Sequence, residues 1–285
     1  METLTIGELK VTWLRGGNNH LDGGAMFGVV PKELWTKKYP ISEGNRIPMR
    51  TDPLLVQTEK HLMLIDAGIG NGMLDEKKKR HFGVTEESFI AEDLQKLGFT
   101  CEDITHVIMT HLHFDHVSGL TKSSNGHFSS AFPNARIFVS EIEWNEMRNP
   151  NIRSKNTYWK QNWEFIQHQV ITFSDKDEIV PGVTAHHTGG HSDGHAVVVL
   201  KGNNDILVHM GDLLPTHAHQ NVLWVMAYDD YPMTSIEQKQ QWLAYAYENQ
   251  AWLSFYHDAF YRAVKWDNKG EIVDEIKRMH SASIQ

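Results

Sequence analysis

The sequence predicts an α+β fold, two β-sheets packed face to face with helices on their outer faces. Three observations point to it. Apolar runs of strand length recur in both halves of the chain, stretches of helical periodicity lie between them, and no low-complexity linker divides the 285 residues. An element with one apolar face must bury it against another, and strand-rich halves that each carry helices satisfy this as an αββα sandwich. At roughly 150 residues per domain the length admits one or two domains, and single sandwiches of this size are common. Residues 1–285 are therefore expected to form one domain built from two related halves.

In the first half, Leu54-Leu55-Val56 and Leu62-Met63-Leu64-Ile65 flank a polar turn at Glu59-Lys60, which predicts a hairpin ending in Asp66-Ala67-Gly68. A helix is expected from Glu86 to Leu97, with Thr85 as N-cap and Gly98 as the stop. Phe89, Ile90, Leu94 and Leu97 fall at helical spacing within it. His106 to Thr110 is a buried strand that runs straight into His111. The segment 141–169 carries Trp144, Tyr158, Trp159, Trp163 and Phe165, and is expected to be a helical, aromatic-rich insertion or cap. The second half repeats the pattern. Strands are expected over Val183 to His187, Ala196 to Leu200 and Asp205 to His209, the last ending in Met210-Gly211-Asp212. A helix from Ile236 to Glu248 follows, then a strand from Trp252 to Tyr256 entering His257-Asp258, and a final helix over Ile272 to Met279.

Composition narrows the function. The chain has 27 Lys+Arg against 36 Asp+Glu, a formal charge of −9, which argues against a nucleic-acid binder needing clustered cations for phosphates. The run Lys77-Lys78-Lys79-Arg80 fits a solvated helix face. No stretch approaches a membrane span, and Met1 to Val11 lacks the apolar region of a signal peptide, so a soluble, cytoplasmic protein is expected. The single Cys101 forms no intramolecular disulfide and builds no thiolate cage, while 18 His outnumber Phe, Met or Trp. Imidazole is the commonest protein metal ligand.

The chemistry concentrates in His111-Leu112-His113-Phe114-Asp115-His116, four metal-capable side chains within six residues just after a strand. His111 and His113 share a face if the backbone stays extended, while Asp115-His116 turns away into a helix start. The segment can thus reach two neighbouring positions, and its nitrogen and carboxylate donors suit zinc or a similar first-row ion. Further strand-end candidates are His191 or His195 in Thr188-Gly189-Gly190-His191-Ser192-Asp193-Gly194-His195, then Asp212, then His257.

In order and position these motifs resemble the metallo-β-lactamase superfamily, whose pattern is H-x-H-x-D-H, a Gly-His segment, a strand-end Asp and a late His. The resemblance spans Asp66 to His257. It implies an αββα sandwich with two divalent metal ions at one edge of the sheets, zinc by default, with Mn, Co or Fe as alternatives. By that pattern His111, His113 and His191 hold one ion, Asp115, His116 and His257 hold the other, and Asp212 bridges. Asp66 and His195 are expected to support the ligands from behind. Asp115 and Asp212 are the implied catalytic carboxylates, the nucleophile being a hydroxide shared by the two ions.

A finer resemblance is to quorum-quenching N-acyl-homoserine lactonases of the YtnP type. It rests on residues 21–31, Asp66-Ala67-Gly68-Ile69-Gly70, Met147-Arg148-Asn149-Pro150-Asn151 and Gly211-Asp212-Leu213-Leu214-Pro215-Thr216. It implies hydrolytic opening of a lactone, with organophosphate or arylester hydrolysis on the same centre as the alternative. Glyoxalase-II-like thioester hydrolysis lacks a basic cluster, and a nuclease is disfavoured by the charge. Some lactonases of this superfamily place a Tyr three residues after the bridging Asp, where this chain has Pro215. Oxyanion stabilisation must then fall to the metals, or to another donor such as His219 or Tyr228. An apolar acyl chain needs an apolar wall, for which Met26, Phe27, Phe114 and Trp224 are candidates. The expected partner is a small molecule, with neither nucleic acid nor membrane. A homodimer in which Met26 and Phe27 could cap a neighbour's pocket stays open.

Overall fold

The structure is a computed structural model that describes residues 1–124 and 126–279. The first half of the chain contains β1 (Thr3–Ile6), β2 (Leu9–Trp13), β3 (Asn18–Asp22), α1 (Gly23–Phe27), α2 (Lys32–Trp35), β4 (Arg46–Arg50), β5 (Leu54–Gln57), β6 (Leu62–Ile65), α3 (Glu76–Phe82), α4 (Ile90–Lys96) and β7 (His106–Ile108). There follow α5 (Phe114–Val117), β8 (Thr121–Ser124), β9 (His127–Ser130), β10 (Arg136–Ser140), α6 (Glu141–Arg148) and β11 (Val170–Phe173). The second half has β12 (Lys176–Val180), β13 (Val183–His187), β14 (Ala196–Lys201), β15 (Ile206–His209), α7 (Pro232–Glu248), β16 (Trp252–Ser254), β17 (Tyr261–Trp266) and β18 (Ile272–Lys277).

Each half supplies one seven-stranded sheet. The first has the order β1-β2-β5-β6-β7-β10-β11 and the second β12-β13-β14-β15-β16-β17-β18. Period-2 alternation explains why they stack. Leu54, Val56, Met63 and Ile65 point to the interface between the sheets, where they meet Val198, Leu200 and Leu207. Their neighbours Leu55, Leu62 and Leu64 point outward, under Ile90 and Leu94 of α4 and Trp144 and Met147 of α6. On the far side Val197, Val199 and Val208 pack against Leu243 and Ala246 of α7. Strands apolar on both faces are buried on both faces, which produces the predicted αββα layering.

The parallel pairs place the site. β6 pairs parallel with β7, and β15 with β16. Parallel neighbours need long crossovers, which bring successive strand ends to one edge. Asp66, the 109–113 loop, the 210–213 turn and His257 all emerge at such carboxyl ends.

Four local expectations are revised. The helix expected from Glu86 begins at Ile90, because Thr85 and Glu86 both donate backbone N–H groups to Asn18 O and stay extended beside β3. The helix expected from Ile236 begins at Pro232, and proline suits a first turn that has no use for its N–H. The segment 141–169 is α-helical only over Glu141–Arg148; turns and short 3-10 stretches carry the rest. The expected final helix is strand β18, paired antiparallel with β17. Ile272, Val273 and Ile276 mimic helical spacing, but only Ile276 packs on the core. Asp274, Glu275 and Lys277 leave a charged outer edge, as suits a terminal strand. Among the described residues no helix is long and apolar enough to cross a membrane.

Candidate metal centre

β7 delivers His111 and His113 through an extended connection, and α5 then turns Asp115 and His116 the other way. The 188–195 turn brings His191, the turn after β15 brings Asp212, and the end of β16 brings His257. All seven side chains converge. The nitrogens of His111, His113 and His191 lie within 4.8 Å of one another, as do the donor atoms of Asp115, His116 and His257. Asp212 stands between the groups. Its Oδ2 lies 3.2 Å from His191 Nε2 and 3.8 Å from His111 Nε2, and its Oδ1 lies 3.0 Å from His257 Nε2 and 3.3 Å from His116 Nε2.

The outer hydrogen bonds fix which ring nitrogen faces inward. His116 Nδ1 donates to Asp66 (2.9 Å), His191 Nδ1 to Asp229 (2.8 Å) and His257 Nδ1 to the Arg50 carbonyl (2.7 Å). Carbonyl and carboxylate oxygens accept, so these Nδ1 atoms carry the proton and the Nε2 lone pairs are turned into the site. Thr110 Oγ1 donates to Asp66 and accepts from His111 Nδ1 (3.1 Å), with the same result for His111. His113 differs, presenting Nδ1 to His191 Nε2 at 2.9 Å. Ring nitrogens that face one another and carboxylate oxygens are poor company without a cation. His111 Nε2 and Asp212 Oδ1 are buried without a hydrogen-bond partner, which native interiors rarely tolerate. That donor set fits divalent cations.

Electrostatics agree. Burial pushes the imidazoles of His111 and His113 well below their ordinary range and keeps them neutral, the form a ligand needs. Burial also opposes charge on His116 and His191, yet the Asp212 carboxylate, with Asp66 and Asp229, pushes both up. The centre is thus a place where positive charge is favoured.

Asp66 and Glu143 hold the loops in place. Asp66 has φ of +58° and also accepts from the Thr110 N–H at 2.8 Å. Burial raises its carboxyl, but His116 and His209 hold it below the usual range. Glu143 on α6 is fully buried and accepts from Leu112 N (2.7 Å), Tyr158 Oη (2.9 Å) and Ser192 Oγ (2.6 Å). It ties the H-x-H loop to the His191 turn. His195 Nε2 accepts the Asp212 N–H (3.2 Å), and its Nδ1 lies 2.8 Å from Thr188 Oγ1, so both nitrogens are engaged behind the site. Gly211 is required there, since its φ is +51° and a Cβ would come within 2.7 Å of His195 Nε2.

A cavity of about 340 Å3 opens over the centre. Met26, Phe114 and Tyr228 line it, together with Met49, Phe82 and Met226, which the sequence did not single out. Three other candidates belong to the packing. Phe27 is fully buried, stacked between Trp35 (4.8 Å) and His219 (4.4 Å). His219 donates from Nε2 to Met26 O (2.8 Å) and engages Thr216 Oγ1 through Nδ1 (2.8 Å), which leaves it no proton for an oxyanion. Trp224 stands edge-on to Phe27 at 6.0 Å and does not reach the cavity. Also unforeseen were Arg153, which lines the cavity and donates to Asp230, Asp229, which lies 38 residues from His191, and Glu143, which lies 31 residues from Leu112.

Residues 47–257 match the family model of the metallo-beta-lactamase superfamily. A probable metal-dependent hydrolase from Staphylococcus aureus is 48% identical, with a TM-score of 0.94 over 98% of this chain and 100% of its own. AidC, a dizinc quorum-quenching lactonase in complex with a product N-hexnoyl-L-homoserine, shares the fold at a TM-score of 0.80 and 21% identity, covering 99% and 98% of the two chains. An N-acyl homoserine lactonase from Bacillus cereus is 27% identical over 183 residues, 59% of this chain and 65% of its own length. The chain spans between 55% and 65% of the length of the curated relatives it matches.

Proposed function

The chain belongs to the metallo-beta-lactamase superfamily, and we propose that it is a dinuclear metal hydrolase that opens the ring of N-acyl-homoserine lactones. The observation that carries this reading is the pair of donor groups sharing Asp212 beneath a cavity with an apolar wall. His111, His113 and His191 would hold one cation and Asp115, His116 and His257 the other, with one Asp212 oxygen toward each. Such ions supply Lewis acidity and bring the pKa of water down toward about 7.

The chain's own residues do the rest. The Asp115 carboxylate, at the cavity wall, takes the proton of the attacking water and returns it to the departing alkoxide. Tyr228 takes the donor role for which Pro215 is unsuited. Burial, then Asp22 and Asp115, raises its phenol, so it stays protonated at neutral pH and can donate to the substrate. Met26, Met49, Phe82, Phe114 and Met226 form the apolar wall for an acyl chain. The cavity falls within the range of small-molecule sites, roughly 300–1,000 Å3. Similarity to the Bacillus lactonases supports this substrate class over others open to the same centre.

Metal-loaded protein incubated with acyl-homoserine lactones of several chain lengths should consume lactone and release one proton per turnover. No turnover at any chain length overturns the reading. A phosphotriester turned over far faster replaces it with organophosphate hydrolysis.

A further inference from the structure

The ribbon formed by β3 and β4 has two faces. Leu21 and Met49 line the cavity over the metal centre, while His20, Arg46 and Arg50 line a second, larger cleft of about 1160 Å3. Helix α3 is shared in the same way, with His81 and Phe82 toward the first cavity and Lys79 and Arg80 toward the second. The basic run Lys77-Lys78-Lys79-Arg80 is therefore not simply a solvated face.

On a chain of net charge −9, this cleft gathers eight Lys and Arg against five carboxylates. Its floor is internally neutralised. Arg15 pairs with Asp93 at 2.5 Å, Arg262 with Glu2 at 3.1 Å, and Asp52 receives both Arg262 and Arg278. Its upper wall is not. Arg46 donates to the His20 carbonyl (2.9 Å) and Arg50 to the Met49 carbonyl (3.1 Å). Among the described residues, neither of these nor Arg80 has a carboxylate within 4.0 Å. Glu86, which accepts from the Asn18 amide, is the acid facing Arg50 and offsets part of its charge. Arg46 and Arg50 are both half-buried and make no direct ion pair, so their charge is screened less than on an open surface. Burial, then Arg50 and Arg46, lowers the imidazole of His20 beside them.

We propose that the cleft is a binding site for a small organic molecule carrying two phosphate groups, contacted by Arg46, Arg50 and Arg80. Planar guanidinium forks match phosphate oxygens in pairs. Arg46 and Arg50 lie four residues apart on one strand face, roughly 13 Å between Cα atoms, which favours a ligand with separated anions over a single phosphate. Because β4 and α3 wall both cavities, a ligand here stiffens the frame of the metal site without entering it.

The test uses metal-loaded protein with fructose 1,6-bisphosphate as probe and inorganic phosphate as the single-anion arm, metal content being checked afterwards. The bisphosphate should raise the melting temperature saturably, and inorganic phosphate should bind more weakly. Arg46→Gln should weaken the bisphosphate by about tenfold or more. Arg80→Gln, on an exposed helical position, should weaken it too while leaving the ligand-free melting temperature unchanged. No saturable shift up to roughly 10 mM overturns the proposal. So does unchanged affinity in both variants, which would place the anion on the metal centre instead.

Discussion

Replacing His111 and His113 together by alanine should lower lactone turnover by at least about a thousandfold, because the ligands of one cation and its Lewis acidity go together. Metal content should drop by at least one equivalent. The fold should survive, since neither side chain belongs to the three large apolar clusters that hold the layers. Near-ultraviolet circular dichroism and metal analysis check the two halves of this expectation. Both rings are buried and neutral, His113 facing the His191 ring nitrogen and His111 holding an unpartnered Nε2, so the folded chain gains little from them without a cation. Full activity in the double variant would refute the ligand assignment.

The second large effect should fall on stability. Glu143→Leu strands the Leu112 N–H and the hydroxyls of Tyr158 and Ser192 in the interior. Unsatisfied buried donors cost about 1–3 kcal/mol each. Allowing for hydroxyl rotation, the variant should lose about 3–5 kcal/mol and melt roughly 5–10 °C lower. Metal affinity should also weaken by about ten- to a hundredfold, because the H-x-H loop and the His191 turn lose their common anchor. Glu143→Gln should do much less. Its carbonyl can still accept from Leu112 and Tyr158, and its amide can donate to Ser192. Equal melting of Glu143→Leu and the unmodified chain would show that the carboxylate is not the tie between the loops.

These two cases mark what could be read from residues alone. His111 and His113 were legible because strand-end placement and dense spacing are local, and the resemblance joined them to His191, Asp212 and His257. Continuous apolar runs on either side of the Glu59-Lys60 turn likewise made Leu54 to Ile65 legible as a hairpin, which the structure buries on both faces. Glu143 was not legible, since nothing near it in the chain marks a carboxylate that reaches Leu112 and Ser192 through space. Asp229 is silent for the same reason, 38 residues from the His191 it orients. His219 misled because a histidine close to the bridging Asp invites a chemical role, whereas its hydrogen bonds to Thr216 and Met26 are structural. Strand β18 misled because an edge strand with few core contacts carries a weak period-2 signal.

Metal stoichiometry, titrated alongside lactone turnover on one preparation, tests the central claim most directly. Two divalent ions per chain are expected, with turnover rising as the second is bound, because Asp212 offers one oxygen to each donor group. Full lactone turnover at one equivalent or none, or two equivalents with no turnover of any lactone, would contradict it.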